Sequence, residues 1–274
     1  MTNPPLKNPV TLSGTSPGNV MKVKEIDSQK NPTFRKFLKI LKGQGIKKHG
    51  LAFLSGPKQV GEVFKDFPDR CVGIVVSKKL DVPKETMPDR ISVYRLGTDL
   101  FREIDAHGTN QPILLIRVDP LSEWDDKHWP SGCTLFVPFQ NPTNVGAVIR
   151  SAAAFGVSRV VILKEAAHPF HHKSIRAAGS SILRVSLCQG PSIRELEKTR
   201  IPLITLSPRG KNIARYKFPT TFGLLPGLEG PGLPDNLKHA TPLAIPIEPG
   251  IESINAALAT GIALYVWRSK MRKE

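Results

Sequence analysis

The sequence predicts an α/β protein of two domains, and three observations carry that prediction. The chain has 274 residues, more than one core usually organises, so two modest domains are expected. Short apolar and β-branched runs alternate with stretches of helical periodicity along most of its length. Over residues 119–132 the alternation breaks at a run holding two tryptophans, three acidic residues besides Asp119, and Pro130, and then resumes. With 40% hydrophobic and 23% charged residues the composition is globular. No apolar run approaches the roughly 18 residues that would span a bilayer.

Residues 1–20 are rich in Pro, Ser, Thr and Asn without periodicity, and are expected to form a disordered leader. They lack an apolar stretch and a small-residue cleavage site, which argues against a secretory signal and leaves an organellar transit peptide open. The first domain is assigned to residues 21–118. Asn31-Pro32 marks a helix start, and Phe34, Phe37, Leu38 and Leu41 recur at helical spacing, with Lys36, Lys39 and Lys42 around them. Residues 43–50 read as a basic break containing Lys47 and Lys48. Strands are expected at 51–54, 72–76, 91–94 and 113–118, with helices after Pro57 and near Leu100. Residues 119–132 read as a linker. The second domain, 133–274, opens with a strand at 134–138, a helix from about 145 to 155 stopped by Gly156, and a strand at 159–163.

Lysine and arginine outnumber acidic residues by 39 to 23, a formal charge of +16 that attracts polyanions. Nucleic acid is the leading partner, although charge alone leaves a merely basic surface equally open. Cys71, Cys133 and Cys188 are far apart and odd in number, and form none of the close pairs used by metals or redox motifs. They read as reduced, buried thiols of a cytoplasmic protein.

Three segments of the second domain place glycine, proline or polar residues just beyond a strand, where α/β sheets bind ligands. The first runs from Asn141 to Gly156; its Gly146 permits close backbone approach and Arg150 lies one turn further along the same face. The second, after apolar residues 222–225, holds Gly227, Glu229, Gly230 and Gly232. The third holds Ile245, Pro246, Ser253, Ile254 and Asn255, with Ser253 placed to cap a final Ala-rich helix. Each segment taken alone reads as an ordinary turn or cap.

Taken together, in order and spacing, the three resemble the motifs of the SpoU (TrmH-like) family of the SPOUT superfamily, which are N-x-G-A-x-x-R-x-A-x-x-F-G, G-x-E-G-x-G and I-P-x-x-x-x-x-x-S-L-N. Ile254 stands where the last has leucine. Residues 173–181, KSIRAAGSS, also look like the family's second-strand connection, and the similarity covers about 131–270. Residues 31–56 are similar, more loosely, to the ribosomal-protein-like substrate-binding domain that precedes many such catalytic domains. Ser55-Gly56 stands where many relatives have Glu-Gly.

The resemblance implies a parallel-sheet domain with a deep trefoil knot, behind a smaller α/β RNA-binding domain. It implies S-adenosylmethionine bound by backbone groups near Gly227, Ile245 and Ile254, a homodimer, and methylation of a ribose 2′-hydroxyl in structured RNA, ribosomal before transfer RNA. It points to Arg150, Asn144, Glu229, Ser253 and Asn255 as catalytic. Arg150 has two open roles, as a bidentate phosphate clamp that polarises the 2′-oxygen or as proton acceptor, for which a guanidinium with a pKa above about 12 is poorly suited. Asn144 and Asn255 would position the ribose. Ser253 would bind substrate or cap its helix, and Glu229 would orient Arg150 or Asn144 or satisfy loop amides.

His168, His171 and His172 match no metal motif and read as a solvated or RNA-facing loop, and no metal is expected. The glycine segment is not a dinucleotide fingerprint, and no phosphate-binding G-K-[ST] loop occurs. A non-catalytic RNA-binding assembly factor on the same fold is the competing reading, and Asn144, Arg150 and Asn255 argue against it.

Overall fold

A computed structural model describes residues 22–82, 87–88, 91–199, 201–227, 237 and 239–271. The proposed leader, residues 1–20, lies outside them. The first half contains β1 (Val23–Ile26), α1 (Pro32–Leu41), α2 (Ile46–His49), β2 (Leu51–Ser55), α3 (Pro57–Asp66), β3 (Cys71–Ser77), β4 (Ser92–Leu96), α4 (Thr98–Ile104) and β5 (Ile113–Arg117). Its sheet runs β1-β4-β3-β5-β2; β1, β4 and β3 are parallel, and β5 is antiparallel to both β3 and β2.

Helix α1 starts where the sequence places it, because the Asn31 carboxamide accepts from the Thr33 amide at 2.8 Å and Pro32 occupies the first turn. Its fully buried residues are Phe34, Phe37 and Ile40, with Leu38 and Leu41 only partly covered. Phe37 stands edge-on to Phe53 and Tyr94, at 5.5 and 5.1 Å between ring centroids. The basic break at 43–50 is in part helical: Ile46 is buried and anchors α2, which closes at Gly50 with φ +58.

The second half contains β6 (Ser122–Glu123), β7 (Gly132–Val137), α5 (Pro142–Phe155), β8 (Arg159–Ile162), α6 (His172–Ala178), β9 (Leu187–Gln189), β10 (Leu203–Asn212), β11 (Thr221–Leu225), β12 (Thr241–Ala244) and α7 (Ala256–Met271). Its sheet, β12-β10-β11-β7-β8-β9-β6, is parallel throughout. A parallel sheet covered on both faces needs continuous apolar strands, and every residue from Cys133 to Val137 is buried. The expected linker is more ordered than its composition suggests. Within it Ser122–Glu123 pairs with β9, and Trp124 and Trp129 pack on Phe136 at 5.6 and 6.0 Å, because two indoles are too much apolar surface to leave in water. Helix α5 begins three residues before the expected start, since the Asn141 carboxamide caps it by accepting from the Thr143 amide at 2.9 Å.

The halves pack into one another. Leu54, Val60 and Ile116 of the first share an apolar cluster with Ile175, Ala178 and Ile182 of the second. Around its rim the Ser180 hydroxyl donates to Glu62, Arg184 pairs with Asp66, and Arg70 pairs with Asp119 at 2.5 Å. The histidines lie at this junction and do not form a solvated loop. His172 faces His107 of the first half at 5.4 Å, and His171 caps α6 by accepting from the Lys173 amide. Burial, reinforced by neighbouring Lys47 and His171, pushes His168 down to about 4; burial beside His171, His107 and Lys173 does the same to His172. Both rings are neutral at physiological pH.

Candidate active site

Parallel strands direct their carboxyl ends to one edge, and the loops leaving that edge form the natural ligand crevice. Here β10 runs between β12 and β11, with Ile204 level with both Leu224 and Thr241. Gly227 follows β11 by two residues and Ile245 follows β12 by one, so the two leave the sheet on either side of β10. Strand β10 itself bulges: Leu206 and Lys211 are both in register with Leu243, and residues 207–210 loop out between them. Gly210 makes this possible, because a Cβ there would lie 2.6 Å from the Leu243 backbone. At Gly227, among the described residues, a Cβ would make ordinary van der Waals contact with the Leu206 carbonyl oxygen, at 3.8 Å. Ile245 and Ile254 are half-buried. Main-chain groups between half-buried apolar side chains suit a flat aromatic base with a ribose attached.

Helix α5 carries the other group. Gly146 is required by packing: a Cβ there would fall 2.1 Å from the Ser174 carbonyl oxygen and 2.8 Å from the Ala177 methyl, so α5 and α6 meet backbone to backbone. The close approach that this glycine permits is thus to a neighbouring helix. One turn on, Arg150 is exposed and lines a predominantly polar cleft of about 220 Å³ with Lys58, Gln59, Glu62, Gly179, Ser180, Ser181 and Arg184. Asn144 is half-buried on the same helix. Nothing in the sequence marked Lys58 or Gln59, because they reach the Arg150 cleft through the packing of the first half on the second; Arg184, from the second half itself, joins them there.

The third segment needs one correction. The cap of α7 is Asn255, whose side-chain oxygen accepts from the Ala257 and Leu258 amides at 3.0 and 3.1 Å, and Ser253 sits exposed two residues earlier. Asparagine stands at the position from which a side chain reaches those amides, so the expected serine cap is not used. The Asn255 oxygen is thereby committed to the helix, leaving its NH2 to donate. Helix α7 lies on α5, with a Cβ at Gly261 only 3.4 Å from the Ser151 hydroxyl. Glu229 lies outside the described residues.

The cysteines take no part. Burial pushes the Cys71 and Cys188 thiols up to about 11 and Cys133 further still, so all stay protonated. Among the described residues no cluster of His, Cys, Asp or Glu is arranged to hold a metal ion, and no helix is long and apolar enough to cross a membrane.

A parallel sheet with a bulged inner strand, loops leaving its carboxyl end and an arginine-bearing helix that starts from the same end, after β7, is the arrangement in which α/β domains bind ligands. Residues 134–265 match the family model described as SpoU rRNA Methylase family, so the chain carries a SpoU methylase domain. Similarity extends over both halves. A protein of Syntrophobacter fumaroxidans known as ribosomal RNA small subunit methyltransferase G 2 is 47% identical over 245 residues, which is 89% of this chain but 49% of that protein. The chain thus spans about half of that relative. The 23S rRNA (guanosine(2553)-2′-O)-methyltransferase RlmP of Bacillus subtilis is 26% identical over 89% of this chain and 98% of its own length. Among solved structures, an AdoMet-bound rRNA methyltransferase from Sinorhizobium meliloti superposes with a TM-score of 0.73 at 20% identity, over 91% of this chain and 98% of that one. The SpoU methyltransferase AviRb from Streptomyces viridochromogenes gives 0.72 at 19% identity, over 89% and 100%. At these identities the structures establish the shared fold.

Proposed function

We propose that the protein transfers a methyl group from S-adenosylmethionine to a ribose 2′-hydroxyl of structured RNA, ribosomal RNA before transfer RNA. The observation that carries this reading is Arg150, presented bare into a polar cleft from the helix of a SpoU methylase domain, one turn beyond the glycine that locks that helix in place. The ribosomal preference rests on the names of the relatives, among them the Bacillus subtilis 23S rRNA 2′-O-methyltransferase aligned over nearly its whole length.

S-adenosylmethionine supplies a methyl group on sulfonium, already activated as an electrophile, so the reaction calls for no metal. The main chain near Gly227, Ile245 and Ile254 would hold its adenosine part, with a glycine that bares the backbone and two half-buried isoleucines to meet the base. The remaining task is to align the 2′-oxygen and lower the cost of its deprotonation. Arg150 clamps the adjoining phosphate bidentately and polarises that oxygen. Asn144 and the NH2 of Asn255 hold the ribose, with Ser253 and Glu229 in support.

The segment from β12 enters the sheet beside β10 and returns to α5 as α7; the trefoil knot is proposed on the likeness of residues 134–265 to the SpoU family. Ile251, Leu258 and Tyr265 are 57–60% exposed around and along α7, an apolar surface that supports a homodimer through this face. Lys36 and Lys39 on α1 and Lys42 at its C-terminal cap supply the first domain's grip on RNA in the cytoplasm.

The test is radiolabelled methyl transfer from S-adenosylmethionine to ribosomal and, separately, transfer RNA, with nuclease mapping of the label. Arg150→Ala is expected to lose about 100-fold or more in turnover at saturating RNA, with cofactor affinity unchanged. Near-normal turnover in that variant would overturn the assignment, and failure of the wild type to bind cofactor would leave the RNA-binding assembly factor in its place.

A further inference from the structure

The cleft that holds Arg150 does not belong to the methylase domain alone. One of its walls is α3 of the first domain, which contributes Lys58 and Gln59 from its first turn and Glu62 from its second. The facing wall is residues 178–181 and Arg184. The acidic groups on α3 are already engaged: Glu62 accepts from the Ser180 hydroxyl and Asp66 pairs with Arg184, whose guanidinium lies 5.1 Å from the Phe67 ring centre. These ties pin α3 against the turn that follows α6. Lys58 and Arg150 make no ion pair among the described residues. Two cations without an ion pair, one from each half, thus face one polar space of about 220 Å³ that they share with the Glu62 carboxylate and the Asp66-paired Arg184, so cations outnumber carboxylates there, and the space is of the order of the sugar and phosphate of a single nucleotide.

We infer that Lys58 is a substrate-positioning residue. Lys58 and Arg150 hold a phosphate next to the reactive ribose from the two domains, and the RNA passes through the interdomain cleft as a single strand. This rests on the ribose-methylation reading and deepens it. The first domain then completes the reaction site as well as gripping RNA elsewhere through α1. The chemistry suits a phosphodiester: ammonium and guanidinium both donate to phosphate oxygens, and the guanidinium can span two of them. An unstacked strand is also what a 2′-oxygen requires in order to be approached in line.

The experiment uses the full chain and three variants, Lys58→Ala, Lys58→Arg and Lys65→Ala. Lys65 is exposed near the end of the same helix and does not line the cleft. Methyl transfer to ribosomal RNA at saturating RNA and cofactor, cofactor affinity, melting temperature and the salt dependence of RNA binding are measured for each. Lys58→Ala is expected to lower kcat about tenfold and to reduce the salt slope by about 0.7–0.9, one phosphate contact. Its cofactor affinity and melting temperature should not change. Lys58→Arg should recover most of the rate, and Lys65→Ala should behave as wild type. Wild-type kcat and salt slope in Lys58→Ala would overturn the inference. If the wild type methylates no RNA, ribose methylation itself has failed, and the salt slope still decides the cleft: a reduced slope upholds it as an RNA site and an unchanged slope rejects it.

Discussion

Two helices of this protein begin with nearly the same words and end in different roles. Helix α3 opens Pro57-Lys-Gln-Val60-Gly61, and α5 opens Pro142-Thr-Asn-Val145-Gly146. Each has proline in its first turn, a buried valine fourth and a glycine fifth. Gly61 is exposed, and a Cβ there would meet nothing within 4 Å; at Gly146 it would strike the α6 backbone at 2.1 Å. The first glycine is a local weakness in a surface helix, and the second is the condition for two helices to cross. Local pattern announces that a helix begins, whereas the neighbour across the interface decides what its glycine is for. The two helices then face each other across the Arg150 cleft, so the contrast bears directly on function.

The sharpest way to break this comparison is Gly146→Ala. The methyl would push against the Ser174 backbone and the Ala177 methyl, neither of which can rotate away, so the substitution should destabilise by about 3 kcal/mol or more, lowering the melting midpoint by roughly 10 °C. Calorimetry of the purified variant reads this directly, and a near-neutral result would mean that α5 and α6 can slide apart. A smaller effect separates the helix starts. Asn141→Ala removes the side-chain cap of α5 and should cost about 1 kcal/mol in urea unfolding. Helix α3, whose Gly56 provides no side-chain cap, has no such contribution to lose. The smallest effect has the opposite sign: Gly61→Ala should stabilise by about 0.5–1 kcal/mol, through helix propensity and a less disordered unfolded chain. If both glycine variants destabilised alike, the distinction between the two helices would collapse.

Much of the architecture was legible because it depends on periodicity and caps. Asn31-Pro32 announced α1, Gly156 closed α5 with φ +69, and the β-branched runs became strands within a residue or two. Elsewhere local signals lost to packing. The 43–50 break looked like a loop for its lysines, yet Ile46 had a core to enter and brought a helical turn with it. Residues 119–132 looked like a linker for their charges, yet their tryptophans found Phe136. Ser253 looked like a cap, yet Asn255 was two residues nearer the amides that needed one.

For the site, the order of Asn144, Gly146, Arg150, Gly227, Ile245, Ser253, Ile254 and Asn255 was readable in one dimension, because ligand loops follow strands and strands follow apolar runs. That ordering already pointed to a SpoU methylase domain. Only the folded chain could place Lys58 and Gln59 beside Arg150, a meeting of residues some 90 positions apart. It depends on two surfaces whose fit involves Ser180 with Glu62 and Arg184 with Asp66, and no local pattern encodes those pairs. Elements are local consequences of the chain, whereas a cleft is a relation between elements, and it exists only once the burial of a shared core has fixed where each one lies.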